Sequence, residues 1–170
     1  QTMIVLDVET TLNNTDVKGG TASPFHPLNK IVYFGLHDLA VNTTYITARS
    51  NITINLYPNR HKVDTIVGHN IKFDLHYLRK HVFAAQVTPN RGEAIVNLTK
   101  ALHTMDFNVW DTQIAEYLLS GMTEHFPSLD ECCIRRNLPT KDSKITEYFK
   151  QGIGADKIDP DEIRPYLKHD

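Results

Sequence analysis

The sequence predicts a mixed α/β domain, and three observations support this fold class. Segments with the length and composition of strands come first, over residues 2–8, 30–39 and 43–47. From residue 65 onward, a short apolar run precedes segments with the 3.6-residue spacing of helices. Strands that come first and then alternate with helices are typical of a mixed α/β domain. The chain has 170 residues, which is the length of one domain.

The first half of the chain supplies most of the predicted strands. Residues 13–27 are rich in Asn, Gly, Thr and Pro, which predicts a loop after the first strand. The strands over 30–39 and 43–47 are expected to pair as a hairpin. The apolar run at 65–69 predicts a short buried strand, and residues 71–82 have helical spacing. Residues 51–62 give no prediction.

The middle of the chain predicts one further helix. Residues 83–105 indicate no particular structure. Trp110 is expected in the core, just before a helix whose N-cap is Asp111 or Thr112 and whose end is marked by Gly121.

The last third predicts three short helices. Ser128 with Glu131 three residues later is a capping box, which opens a helix that ends near Asn137. A second helix is predicted over residues 143–150. Pro165 is expected in the first turn of a last helix, where a missing N–H costs nothing.

Composition and charge narrow the setting of the protein. The chain has 18 Lys and Arg against 20 Asp and Glu, a net charge of −2, so it lacks the electrostatic signature of a basic nucleic-acid-binding protein. Bound metal ions can supply positive charge where a phosphate is handled, so nucleic acid is not excluded. The neighbouring Cys132 and Cys133 are not expected to bridge, and no signal segment or bilayer-length apolar run is present. We expect an intracellular protein without membrane contact.

Two acidic residues interrupt the apolar pattern of the first strand. Asp7 breaks the run and Glu9 lies two positions on, so both side chains share one face of the strand. Neighbouring carboxylates repel each other unless a cation lies between them. Mg²⁺ and Mn²⁺ prefer such oxygen ligands. Taken alone, the pair is explained more simply by a strand end that emerges into solvent.

Two later segments place further polar side chains. Asp74 lies near the start of the predicted helix, where an anion is favoured by the helix dipole. Tyr166 and Asp170 are four residues apart, so they share one helical face. In isolation, these are an ordinary acid at a helix N-terminus and a surface acid beside a core tyrosine. Their order along the chain makes them informative.

Together these segments resemble one family. Three motifs are similar, in order, to those of the DEDD 3′→5′ exonuclease superfamily, with the tyrosine of its DEDDy branch: Asp7-x-Glu9-Thr10-Thr11, Asn70 with Phe73-Asp74, and Tyr166-x-x-x-Asp170. Residues 68–74 are most similar to the proofreading domain of family A, polymerase I-like DNA polymerases, including bacteriophage members. The resemblance covers residues 3–170. It implies a ribonuclease H-like mixed sheet flanked by helices, in a single domain (residues 1–170) of a longer polymerase.

The resemblance also implies two Mg²⁺ or Mn²⁺ ions held by four carboxylates. Asp7 would bridge both ions, Glu9 and Asp170 would complete the ion that activates water, and Asp74 would help hold the second. Two such ions stabilise the attacking and leaving oxygens of an in-line displacement. A tyrosine phenol is ordinarily protonated at neutral pH, so Tyr166 would orient the attacking water. The product would be a nucleoside 5′-monophosphate.

The implied substrate is a single-stranded or frayed DNA 3′ end. Leu12 or Phe73 would stack on the terminal base, with core packing as the equal alternative for Phe73. His69 is expected to be a capping or core histidine. The full set of implied substrate-binding residues is Thr10, Thr11, Leu12, Asn70 and Phe73.

Two other functions stay open. One is an RNase D-like 3′→5′ exoribonuclease built on the same motifs, because discrimination of the 2′-hydroxyl depends on pocket shape that the sequence does not reveal. The other is a catalytically silent nucleic-acid-binding domain. No polymerase sequence is present in the chain, so a polymerase domain elsewhere in the parent protein is the expected partner.

Overall fold

A computed structural model describes residues 3–13, 22–48, 63–86, 107–141 and 143–169. These residues form a five-stranded mixed sheet flanked by helices, so the predicted α/β class is confirmed. The strand order is β3-β2-β1-β4-β5. The strands are β1 (Met3–Thr10), β2 (Ile31–Asp38), β3 (Thr43–Ala48), β4 (Thr65–Gly68) and β5 (Asn108–Asp111).

The central strand β1 has a different neighbour on each side. It pairs antiparallel with β2 over Ile4–Thr10, whereas its parallel pairing with β4 covers only Met3–Val5. The predicted hairpin is confirmed, because β2 and β3 pair antiparallel. The carboxyl-terminal half of β1 therefore extends beyond the end of β4, and this projecting half contains the predicted acids.

Within the described ranges, six helical segments complete the fold. Those that bear on the site are α1, which follows β4 directly, and α5, the last helix. The α-helices are α1 (Ile71–Gln86), α2 (Thr112–Leu119), α3 (Leu129–Arg135), α4 (Ser143–Lys150) and α5 (Pro160–His169), and a 3₁₀ turn spans Ala155–Lys157. None of the helices among the described residues is long and apolar enough to cross a membrane.

Each face of the sheet is covered by a different group of helices. Side chains along β1 alternate between buried and half-buried, as expected for a strand with two unlike faces. One face packs against α1, through the buried residues Ile4, Leu6, Val8, Phe34, Leu36, Ile71, Tyr77 and Leu78. The other packs against α4 and α5, through Ile145, Ile158, Ile163, Tyr166 and Leu167. Asp7 and Glu9 alternate with the β1 residues that pack on α1, so they face the side of the sheet that α4 and α5 cover.

The local capping predictions agree with the structure. Asp111 is the N-cap of α2, and its carboxylate accepts hydrogen bonds from the backbone of Gln113 and Ile114. The capping box of α3 is complete, with Ser128 and Glu131 each accepting a backbone N–H of the other. These contacts depend on residues within three positions of each other, which is why sequence spacing predicts them.

Two predictions are wrong. Trp110 is 58% exposed rather than in the core, since β5 is the edge strand of the sheet. Pro165 lies inside α5 rather than in its first turn. That helix begins at Pro160, and the Asp159 carboxylate before it accepts the N–H of Asp161 at 2.8 Å. The Asp-Pro pair is a helix-start signal that the sequence reasoning missed.

Part of the chain lies outside the described residues. The unassigned stretch 51–62 falls there, as does most of 83–105, of which only residues 83–86 are described, as the end of α1. Asp170 also falls there.

Candidate functional site

The predicted acid pair lies where β1 leaves its parallel neighbour. Asp7 and Glu9 are half-buried on the same face of the strand, as their spacing predicts. Asp7 pairs with Gly35 of β2, and the β1–β2 register shifts between Glu9 and Thr10. Such an irregularity re-aims the residues that follow it. Glu9 therefore lies directly at the irregularity, and Asp7 lies two residues before it in the regular part of the β1–β2 pair.

Asp74 reaches the same region from the first turn of α1. Its side chain is only 3% exposed, and its Oδ1 accepts the backbone N–H of Val8 at 3.0 Å. No β4 residue pairs with Val8, so the carboxylate takes the place of a missing strand partner. Asp74 is thus fixed against the backbone residue that follows Asp7.

The electrostatics of Asp74 place a second negative charge close by. Burial, and then the charge of Asp7, raise the pKa of Asp74 from 3.8 to about 8, and the Val8 hydrogen bond and the charge of Lys141 oppose this. Desolvation and a like charge both disfavour the ionised form. Two carboxylates that are close together and shielded from water repel each other. A divalent cation bound between them removes this repulsion, because it takes their oxygens as ligands.

A single carboxylate holds the start of α1. Asp111 accepts the backbone N–H of Asn70 at 3.0 Å and that of Ile71 at 3.1 Å, in addition to capping its own helix α2. Asn70 adopts a left-handed backbone conformation, with φ of 57°. Asp111 therefore caps two helices at once, and one of them positions Asp74. The second role involves residues about 40 positions away, so no local motif could have revealed it.

His69 has the structural role that the sequence reasoning favoured. Its two ring nitrogens lie 3.0 Å from Thr112 Oγ1 and 3.0 Å from the carbonyl oxygen of Pro127. The carbonyl can only accept, so Nε2 carries a proton. The imidazole joins the end of β4 to α2 and to the segment before α3.

Tyr166 lies on α5 and is 5% exposed, in the core between the sheet and helices α4 and α5. The ring of Phe149 meets it edge-on, with centroids 6.0 Å apart. The ammonium of Lys141 lies 5.1 Å from its ring centroid. The ring of Tyr166 thus has an aromatic ring of α4 against it and a cation beside it.

The predicted substrate-binding threonines are buried. Thr10 and Thr11 are each 5% exposed. The Thr11 hydroxyl accepts the backbone N–H of Lys30 at 3.0 Å. Burial raises the pKa of the Tyr77 phenol, and the nearby Thr10 hydroxyl opposes this shift. Both side chains hold β1 to its neighbours, so any contact with a ligand would come from the backbone around them.

The backbone of Gly154 lies very close to the backbone of Leu12. A Cβ added at Gly154 would lie 2.8 Å from the Leu12 nitrogen and 3.3 Å from the Thr11 Cα. Only a glycine allows the turn after α4 to touch this segment. Sequence reasoning did not single out Gly154, because the contact joins residues more than 140 positions apart.

Phe73 is half-buried and packs against the core between the sheet and α1. Its ring lies 5.0 Å from that of Tyr77, at a tilt of 59°. This is the packing role that the sequence left as the alternative to base stacking.

The residues present fit a divalent cation in part. Asp7 and Asp74 offer carboxylate oxygens close to each other, and Glu9 lies on the same face as Asp7. Within the described ranges, no three His, Cys, Asp or Glu side chains form a ready-made metal site. The fourth implied ligand, Asp170, lies outside those ranges.

Comparison with other proteins adds no family assignment. Neither protein-family models nor curated protein sequences match the chain. The function therefore has to be argued from the geometry of the site.

Proposed function

We propose that this protein is a metal-dependent 3′→5′ exonuclease that releases nucleoside 5′-monophosphates from single-stranded or frayed DNA 3′ ends. We further propose a ribonuclease H-like fold, a place beside a polymerase domain in a longer protein, and two Mg²⁺ or Mn²⁺ ions as cofactors. The mixed five-stranded sheet flanked by helices is compatible with that fold.

One observation carries the proposal. Asp74 is buried, hydrogen-bonded to the backbone at Val8, and close enough to Asp7 that the charge of Asp7 contributes to raising its pKa to about 8. A fold gains no stability from two carboxylates placed together in this way. The arrangement is understandable if cations and a phosphodiester occupy the region. The order of the three motifs along the chain supports the same function.

The side chains would divide the work by position. Asp7, Glu9 and Asp74 would hold the ions from β1 and α1, with Asp170 as the fourth ligand implied by the resemblance. Two bound ions supply charge neutralisation at the attacking and leaving oxygens of the phosphodiester. Tyr166 would orient the attacking water by hydrogen bond, since its ring packs edge-on against Phe149 of α4. The backbone at Thr11 and Leu12 would line the entry of the terminal nucleotide.

A degradation assay tests the proposal. End-labelled single-stranded DNA and RNA of equal sequence are incubated with the protein in Mg²⁺, in Mn²⁺ and in EDTA, beside the Asp7→Ala variant. We expect stepwise shortening of DNA from its 3′ end with either metal and none in EDTA. Asp7→Ala should lose nearly all activity. Activity within about tenfold of wild type, or roughly 1.4 kcal/mol of barrier, would contradict the two-metal assignment.

The same assay separates the other two functions. Faster loss of RNA than of DNA would indicate an RNase D-like exoribonuclease. Binding of either strand without degradation in any metal would indicate a silent nucleic-acid-binding domain. A blunt duplex should be degraded more slowly than a single strand, because unpairing the terminal nucleotide costs a few kcal/mol.

A further inference from the structure

Lys141 stands out because its ammonium lies beside the buried ring of Tyr166. Lys141 lies between α3 and α4 and is half-buried. Lys144 pairs with Glu162 at 2.6 Å, and both side chains are substantially exposed. Arg135 pairs with Glu124 in the same manner. Lys144 also lies over a ring, 5.7 Å from the Tyr148 centroid, but that ring is half-buried, whereas the ring beside Lys141 is buried.

Lys141 is located by a backbone hydrogen bond and by a contact with an aromatic ring. Its backbone N–H donates to Asp130 Oδ1 at 3.0 Å, and Asp130 belongs to the first turn of the capped helix α3. Its ammonium lies 5.1 Å from the centroid of the Tyr166 ring. The Lys141 backbone is thus hydrogen-bonded to α3, and its ammonium lies over the ring of Tyr166, which the proposed mechanism uses.

The ammonium also acts on the carboxylate of Asp74. The charge of Lys141 lowers the pKa of Asp74, against the larger effects of burial and of Asp7. Lys141 therefore lies beside Tyr166 of α5, and its charge reaches Asp74 of α1. A lysine there brings a positive point charge on a flexible stem, which suits a phosphate oxygen.

We propose that Lys141 is a further substrate-binding residue, and that its ammonium contacts a backbone phosphate of the DNA strand near its 3′ end. This inference rests on the proposed exonuclease function. A phosphate contact of this kind carries no sequence information and positions the strand. It would guide the terminal phosphodiester toward Asp7 and Asp74, at a site that otherwise presents negative charge to a negative substrate.

A purely structural role is the alternative reading of the same geometry. A cation beside an aromatic ring is attracted to the face of the ring, and a cation near a buried carboxylate favours its charged form. Both effects would appear in the stability of the fold. A phosphate contact appears instead in substrate affinity and in its dependence on salt, so the two roles can be measured separately.

The experiment compares Lys141→Met and Lys141→Arg with the matched control Lys144→Met. The control removes the same charge three residues away, from a lysine that pairs with Glu162 at the surface. Wild type and the three variants are assayed on single-stranded DNA with Mg²⁺ over a range of KCl concentrations. Circular dichroism and urea denaturation report whether each variant folds.

We expect Lys141→Met to raise KM about tenfold or more, as loss of a charge-assisted hydrogen bond does. The slope of log(kcat/KM) against log[KCl] should become shallower by about 0.7, the value for one phosphate contact with a single strand. Lys141→Arg should restore most of the affinity, and Lys144→Met should change neither quantity.

The possible failures are distinguishable. If wild type is active and the two Met variants behave alike, the inference is wrong while the proposed function stands. An unchanged salt slope in Lys141→Met with reduced stability would also overturn it, in favour of the structural role. If wild type degrades no DNA, the proposed function fails and the inference fails with it.

Discussion

Replacement of Asp74 by Asn should stabilise the metal-free protein while removing its activity. The substitution keeps the shape of the side chain and an Oδ1 that can accept the Val8 N–H, which lies 3.0 Å from the present carboxylate. It removes the ionisable group that burial and the charge of Asp7 disfavour. A proposed metal ligand is thus a source of instability when no metal is bound.

The magnitude follows from the pKa of Asp74. The value rises from 3.8 to about 8 on folding. Between these two values the folded protein retains a proton that the unfolded chain releases, so stability falls as pH rises. Each pH unit costs about 1.4 kcal/mol, so by pH 8 the wild type loses on the order of 5 kcal/mol relative to pH 4. Asp74→Asn should not show this loss.

Urea denaturation followed by circular dichroism measures the effect, at pH 5 and pH 8 in EDTA. The variant should exceed the wild type in unfolding free energy by several kcal/mol more at pH 8 than at pH 5. Asp161→Asn is the control, since it removes one carboxylate at an exposed position of α5. Millimolar Mg²⁺ should raise the stability of the wild type at pH 8 and leave Asp74→Asn unchanged. Equal pH dependence of wild type and Asp74→Asn would refute the reasoning.

Three other substitutions test the surroundings of the site. Tyr166→Phe should reduce activity less than Asp7→Ala does, because it removes an orienting hydrogen bond and leaves the carboxylates in place. An equally large loss of activity would show that the phenol has a role beyond orienting the attacking water. Asp111→Asn should destabilise the fold by about 1–2 kcal/mol in urea denaturation and also lower kcat, since the carboxylate caps two helices; unchanged stability would contradict the double cap. Gly154→Ala should cost about 1–3 kcal/mol, since its Cβ would lie 2.8 Å from the Leu12 nitrogen. It should also reduce activity on single-stranded DNA, and wild-type stability with wild-type activity would show that the turn yields without consequence.

The features that sequence predicted well are local. The alternation of β1 predicts that Asp7 and Glu9 share a face, because successive strand residues point in opposite directions. The capping box of Ser128 and Glu131 and the cap at Asp111 follow from hydrogen bonds that span two or three residues. These interactions form wherever the backbone adopts the element, whatever lies around it.

The features that sequence missed depend on burial at the edges of elements. Trp110 has the composition of a core residue, yet β5 is an edge strand and leaves the indole exposed. The prediction placed the start of the last helix near Pro165, because proline is common in a first helical turn. The helix begins instead at Pro160, after Asp159, whose carboxylate accepts the N–H of Asp161. Which apolar residues are covered depends on the order of the strands, and that order is not visible in any short stretch of sequence.

By itself, the sequence determined the α/β class, the position of Asp7 and Glu9 on one strand face, and the motifs that resemble a 3′→5′ exonuclease. Only the tertiary structure decided that Asp74 is buried against Val8 and within reach of the charge of Asp7. It also decided that Lys141 lies beside Tyr166. The physical reason is that β1 extends beyond β4, so residues about 70 to 160 positions away fill the region around its projecting end.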